Sequence, residues 1–152
     1  MASSLIAGAV SIILILIAGY VIGSGILAIG ETTVLVQTEM TQNQEQLLQT
    51  SIAIDAYWDT TQLWVNVTNT GSTSFSPDDL DKTDIFTFDS VNKLRRFERS
   101  NCSSFVINAS SDIINQGMWD PSEIINLKII TATEPEWVKF VTSNGVSAST
   151  NV

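Results

Sequence analysis

The chain has 152 residues and a formal charge of −9, with seven Lys and Arg against sixteen Asp and Glu, no histidine and one cysteine. This balance argues against a nucleic-acid partner, because phosphate binding needs a basic stripe. Lacking histidine, the chain has neither the commonest general base nor the commonest metal ligand, and its lone Cys102 rules out an internal disulfide.

From Leu5 to Gly30 the sequence LIAGAVSIILILIAGYVIGSGILAIG carries no charge, and fourteen of its residues are Leu, Ile or Val. As a helix at about 1.5 Å per residue it reaches roughly 39 Å, enough to cross a hydrocarbon core of about 30 Å with tilt. On the insertion scale those aliphatics sum to about −4 to −8 kcal/mol. The mean hydropathy of the chain, +0.21, is positive because of this segment. The run is about twice as long as a secretory h-region, and Leu27-Ala28-Ile29 is a poor A-x-A site, so a retained anchor is expected. A short uncharged N-terminal tail fits an N-terminus inside and a C-terminal domain outside. Ala7 and Ser11, Gly19 and Gly23, and Ser24 and Ala28 repeat a small-xxx-small spacing that lets helices pack closely. Residues 5–30 are therefore expected to lie against lipid or against identical helices in a homo-oligomer.

Glu31–Thr50 turns polar without Pro or Gly, and Val36, Met40, Asn43, Leu47 and Thr50 keep a 4-3-4-3 seam. One helix from about Ser3 to about Ser51 is expected, giving an N-terminal unit 1–50. From Ile52 the period becomes two. Ile52, Ile54, Ala56 and Trp58 form one face, and after Asp59-Thr60-Thr61-Gln62 come Leu63, Val65 and Val67, the signature of a hairpin. Asn69-Thr70-Gly71-Ser72 reads as a tight turn. Further strands are expected at Asp84–Asp89, Leu94–Arg99, Ser104–Ala109, Ile124–Thr131 and Trp137–Thr142, then a turn at Asn144-Gly145 and a frayed tail, Ser147–Val152. The fold class that follows is α+β: a long pilin-like helix, then an antiparallel immunoglobulin-like β-sandwich over 51–152.

A helix of this kind joined directly to a sandwich resembles the archaellin and archaeal type IV pilin superfamily. Within it, SSLIAGAVSIILILIAG (Ser3–Gly19), VNVTNTGSTSF (Val65–Phe75), WDPSEIINLKI (Trp119–Ile129) and VKFVTSNGVS (Val138–Ser147) look like the archaellum accessory or stator family called FlaF. The resemblance covers nearly the whole chain, and its most specific residues are Asn69-Thr70-Gly71, Pro121-x-Glu123 and Asn144-Gly145. It implies one membrane helix, a sandwich in the space below the S-layer, S-layer protein or other archaellum components as partners, and a part in anchoring the motor. Archaellins and pilins carry a basic leader ending in Lys or Arg before Gly. Nothing upstream of Ser3 matches it, which fits an unprocessed stator better than a filament subunit.

Three sequons, at Asn66, Asn101 and Asn108, are candidate glycosylation sites, although about two are expected by chance in a chain with ten Asn and thirty-four Ser and Thr. Asp78, Asp79, Asp81 and Asp84 form an acidic run that fails the EF-hand spacing and reads as a solvated loop. Lys93, Arg95, Phe97 and Arg99 alternate as a candidate docking strip for an acidic partner, set against a charged edge strand. Of the four tryptophans, Trp58, Trp64, Trp119 and Trp137, three are expected in the core and one at a surface. Cys102 has no base to activate it. No catalytic triad, phosphate loop or zinc spacing is present, so neither an enzyme nor a cofactor is expected. Two roles remain: a membrane-anchored extracytoplasmic interaction protein, or a filament subunit with bundled helices and outer sandwiches.

Overall fold

The computed structural model describes residues 2–152, with side chains from residue 6 onward. Met1 and the side chain of Leu5, at the head of the apolar run, lie outside the described residues. Two units divide the chain, Met1–Asn43 and Gln44–Val152.

Helix α1, Ala2–Gln49, runs unbroken for 48 residues, or about 72 Å. The single continuous helix expected from the absence of proline is present. Six consecutive aliphatics, Ile12–Ile17, wrap more than one and a half turns, so the apolar surface has no polar stripe. From Ser11 to Thr41 the serine and threonine hydroxyls bond back to carbonyls of the helix itself. Ser11 donates to the Ala7 carbonyl at 2.9 Å, Ser24 to Val21 at 3.0 Å, and Thr32 and Thr33 to Ala28 and Ile29 at 2.6 and 2.8 Å.

The second unit continues with β1 (Ile52–Asp59), β2 (Gln62–Asn69), the short helix α2 (Pro77–Leu80), β3 (Asp84–Asp89), β4 (Lys93–Glu98), β5 (Ser104–Ile107), β6 (Ile124–Ile130), β7 (Trp137–Val141) and β8 (Ser147–Asn151). They form two four-stranded antiparallel sheets, ordered β1-β2-β6-β5 and β4-β3-β7-β8. Consecutive strands pair two by two, and each pair lies in the other sheet from the pair before it. Alternation sets the core: Leu63, Val65 and Val67 of β2 and Ile125, Leu127 and Ile129 of β6 meet Ile85, Phe97, Val138 and Phe140 of the second sheet. Phe75, Leu80 and Trp119 fill the ends.

Two expectations need correction. Residues Ser147–Asn151 are not a frayed tail, because β8 pairs along β7 from Val141↔Ser147 to Trp137↔Asn151. The Asn144-Gly145 turn, with Gly145 at φ 89°, returns the chain to that edge and gives five small polar residues a ladder to join. Only Trp119 of the four tryptophans is fully buried. Trp64 and Trp137 stand out of phase with their buried neighbours Leu63, Val65, Val138 and Phe140, and Trp58 is half-buried on the edge strand β1.

Cys102 follows the 3-10 turn Arg99–Asn101 and packs half-buried against the core. Burial pushes its thiol up to about 11. At pH 8 its thiolate fraction is therefore about 100-fold below that of an ordinary cysteine. Iodoacetamide should alkylate the folded protein about 100-fold more slowly than the urea-unfolded chain, with the rate still rising tenfold per pH unit at pH 10. A rate that levels off by pH 9 would contradict this placement. The same shift sets the sign of a stability change: the folded chain keeps a proton that the unfolded chain releases, so stability falls as pH rises from about 9 to about 11.

Candidate functional site

Chemistry-bearing clusters are scarce. Among the described residues no group of His, Cys, Asp and Glu is placed to hold a metal ion. Three of the four carboxylates of the acidic run, Asp79, Asp81 and Asp84, are engaged within the protein. Asp79 closes a capping box with Ser76, its carboxylate accepting from the Ser76 N–H at 3.1 Å, while Asp81 pairs with Arg99 at 2.9 Å and Asp84 with Arg96 at 2.8 Å.

Three surfaces remain. The first is the uncharged part of α1, where every side chain from Ile6 to Gly30 is exposed. Gly19, Gly23, Ser24 and Ala28 lie on this surface, and a Cβ at Gly19 or Gly23 would meet nothing within 4 Å. The helix is long and apolar enough to cross a membrane.

The second is the end of the sandwich that receives the last turn of α1. Only Thr50 and Ser51 separate α1 from β1. The Asn69-Thr70-Gly71-Ser72 turn folds over them: Thr70 and Gly71 donate their N–H groups to the Ser51 carbonyl at 2.8 and 2.9 Å, and Ser72 donates to Gln49 at 2.8 Å. Asn69, fully buried, holds the turn from within. Its Nδ2 donates to the Thr73 carbonyl at 2.7 Å and its Oδ1 accepts from Gly71 N–H at 3.1 Å. Thr50, 6 % exposed, accepts at its hydroxyl from Asn144 Nδ2 at 2.7 Å and lies 2.7 Å from the Gln46 carbonyl. A buried corner backs the turn. Asn69 N–H donates to the Glu123 carbonyl at 3.0 Å, Trp119 Nε1 donates to the same carbonyl at 3.0 Å, and the Glu123 carboxylate accepts from Asp120 N–H at 2.8 Å.

The third comprises the outer faces of the two sheets. On the first, Tyr57 and Trp64 are stacked with ring centroids 6.1 Å apart, and Lys128 Nζ lies 4.5 Å above the Trp64 ring. Across the second, Phe88 and Trp137 stack at 6.0 Å. Half-exposed aromatics with a cation above them are the kind of surface from which protein interfaces are built.

The candidate docking strip is not laid out as one exposed face. Lys93, Arg95 and Phe97 share a side of β4, but that side faces the core: Phe97 is 8 % exposed and Arg95 lies over its ring at 4.8 Å. Arg99 has left the strand, paired with Asp81 and stacked over Phe105 at 5.1 Å. Alternation fixes which residues share a face but not which face is buried, and the phenylalanine decides it. Of the sequons, Asn66 lies in mid-strand on β2, Asn101 in the 3-10 turn and Asn108 just after β5.

Two solved structures of archaellum stator proteins are among those similar to this chain. The archaellum periplasmic stator protein FlaG from Sulfolobus acidocaldarius is 19 % identical, with 66 % of this chain and 97 % of that chain covered and a TM-score of 0.48. For the periplasmic stator complex of FlaF and FlaG from the same organism the values are 17 %, 67 %, 86 % and 0.45. No family model and no curated protein sequence matches the chain.

Sequence reasoning missed the fastening of Thr50 to Asn144, 94 residues apart, and the outward aromatic pairs. For the first, no signal exists in the sequence. For the second it does: Trp64 alternates with Leu63, Val65 and Val67, and so shares the outer face with Asn66 and Thr68.

Proposed function

We propose that the chain is a membrane-anchored structural protein of the archaellum stator class, with residues 5–30 in the bilayer and the sandwich outside the cell, where it binds S-layer protein. One observation carries the anchor: twenty-five consecutive uncharged residues of α1, Ile6–Gly30, bury no side chain within the chain. Such a surface needs hydrocarbon around it. The S-layer partner and the place in the archaellum follow from the resemblance of the four stretches quoted above. The role is mechanical. Load on the helix end enters the sandwich through the turn around Gly71 and leaves through a contact with the wall, which we place on the face carrying Tyr57, Trp64 and Lys128.

The experiment is purification of the full-length protein from native membranes. Recovery in detergent extracts together with S-layer protein, reduced about tenfold by Trp64→Ala, is the expected result. A second reading, a filament subunit, is favoured by the length of α1, which continues through Glu31–Gln49 beyond what a bilayer covers. Recovery in sheared, membrane-free fibres would establish that reading and overturn the first.

A further inference from the structure

We infer that Asn108 is an N-glycosylation acceptor in the folded protein, taking an oligosaccharide from a polyprenyl-phosphate-linked donor, and that Asn66 and Asn101 are not; the inference rests on the extracytoplasmic placement proposed above. All three carry the same sequon, so the difference lies in geometry. A transferase must reach the carboxamide nitrogen and the hydroxyl two residues later together, on a segment that can enter its groove.

Asn66 fails this requirement. It sits in the middle of β2, which is paired on both sides, with Asp55 opposite on β1 and Asn126 on β6. Its Oδ1 accepts from Asn126 Nδ2 at 3.1 Å, and its Thr68 is locked in the same ladder. Lifting the sequon would break the sheet at its centre. Asn101 is exposed but its serine is not free: Ser103 donates both its N–H, at 2.9 Å, and its hydroxyl, at 3.0 Å, to the Lys128 carbonyl. Cys102 between them is half-buried in the core.

Asn108 meets the requirement. It sits one residue past β5, its own N–H still donating to the Ile124 carbonyl at 2.8 Å, and the next two residues, Ala109 and Ser110, are exposed and free of the ladder. Its Oδ1 accepts from Ser110 twice, from the N–H at 3.1 Å and from the hydroxyl at 2.8 Å. Its Nδ2 donates to no protein group among the described residues. Two donors on the carbonyl oxygen make the amide N–H more acidic, so a base of the transferase can take its proton as Nδ2 attacks. In the transfer, Nδ2 attacks the anomeric carbon and forms the N–C bond. The bond from that carbon to the phosphate oxygen breaks with its electron pair on the polyprenyl phosphate, and the amide proton passes to a base of the transferase.

The test is mass spectrometry of chymotryptic peptides from the full-length protein purified from its native membranes, beside digestion of intact cells with added protease. Chymotrypsin separates the three sites into Val65–Phe75, Glu98–Phe105 and Val106–Trp119. Sugar mass is expected on the last peptide alone, lost in Asn108→Gln and in Ser110→Ala and kept in Ser110→Thr. An unmodified Val106–Trp119 peptide in a protein whose sandwich is cut by protease on intact cells overturns the inference and leaves the proposed placement standing. A sandwich protected in intact cells overturns both. Sugar on Val65–Phe75 or Glu98–Phe105 overturns the selection among the sites.

Discussion

Gly71→Ala is expected to lower the melting temperature of the sandwich by about 12 °C, followed by circular dichroism on the full-length protein in detergent. A methyl group at Gly71 would run into the Gln49 carbonyl and the Ser51 nitrogen, both backbone atoms with no side-chain freedom to retreat. The backbone angle of Gly71 is not the constraint; space is. Relief requires moving the turn away from the strand entry, which weakens the N–H bonds from Thr70 and Gly71 to Ser51 and from Ser72 to Gln49. Overpacking at about 1–3 kcal/mol, with three hydrogen bonds each weakened by part of its usual worth of about 0.5–1.5 kcal/mol, gives about 3 kcal/mol. At about 4 °C per kcal/mol for a unit of this size, the stated shift follows. Ser72→Ala serves as the control, since its hydroxyl lies 3.5 Å from its partner and contributes little. Equal melting temperatures for Gly71→Ala and wild type would mean that the turn does not press on the helix end.

The second large effect concerns the anchor. Leu16→Arg alone should leave the protein in the membrane fraction, whereas Leu16→Arg with Val21→Arg should release about half or more of it. The argument is one of magnitude. The aliphatic run is worth about −4 to −8 kcal/mol, and one central arginine costs about 2.5 to 3.5 kcal/mol, so insertion survives a single change. Two arginines, with the two lost aliphatics, cost about 6 to 8 kcal/mol and bring the balance close to zero. Carbonate extraction of membranes reads the outcome. Full retention of the double variant would show that the helix is held by something other than hydrocarbon, as it would be in a bundle of identical chains.

Much of this architecture is legible in the residues. The change of period at Ile52 marks where helix gives way to strand, and Asp84–Asp89 alternates so regularly that β3 has the expected bounds. What is not legible has a physical cause in each case. Ser147–Asn151 holds no apolar alternation, so its pairing with β7 depends on a neighbour supplied by the fold. Lys93, Arg95 and Phe97 alternate equally well on an inner or an outer face, and the burial of Phe97 in the core turns that side inward. Asn69, Gly71, Glu123 and Asn144, which carry the family resemblance, are visible as motifs. That they converge on one corner and grip Gln49–Ser51 is a tertiary fact, since it joins carbonyls and amides far apart in the chain.

The alternation of strand pairs between the two sheets bears on how the domain is made. Neither sheet is encoded by a contiguous stretch: the first needs Ile52–Asn69 and Ser104–Ile130, and the second needs the segments lying between and after them. A nascent chain released only as far as β4 holds half of each layer and can complete neither. Folding must wait for distant pairings such as β2 with β6 and β3 with β7, which favours slow, all-or-none acquisition of structure after synthesis rather than stepwise growth during it.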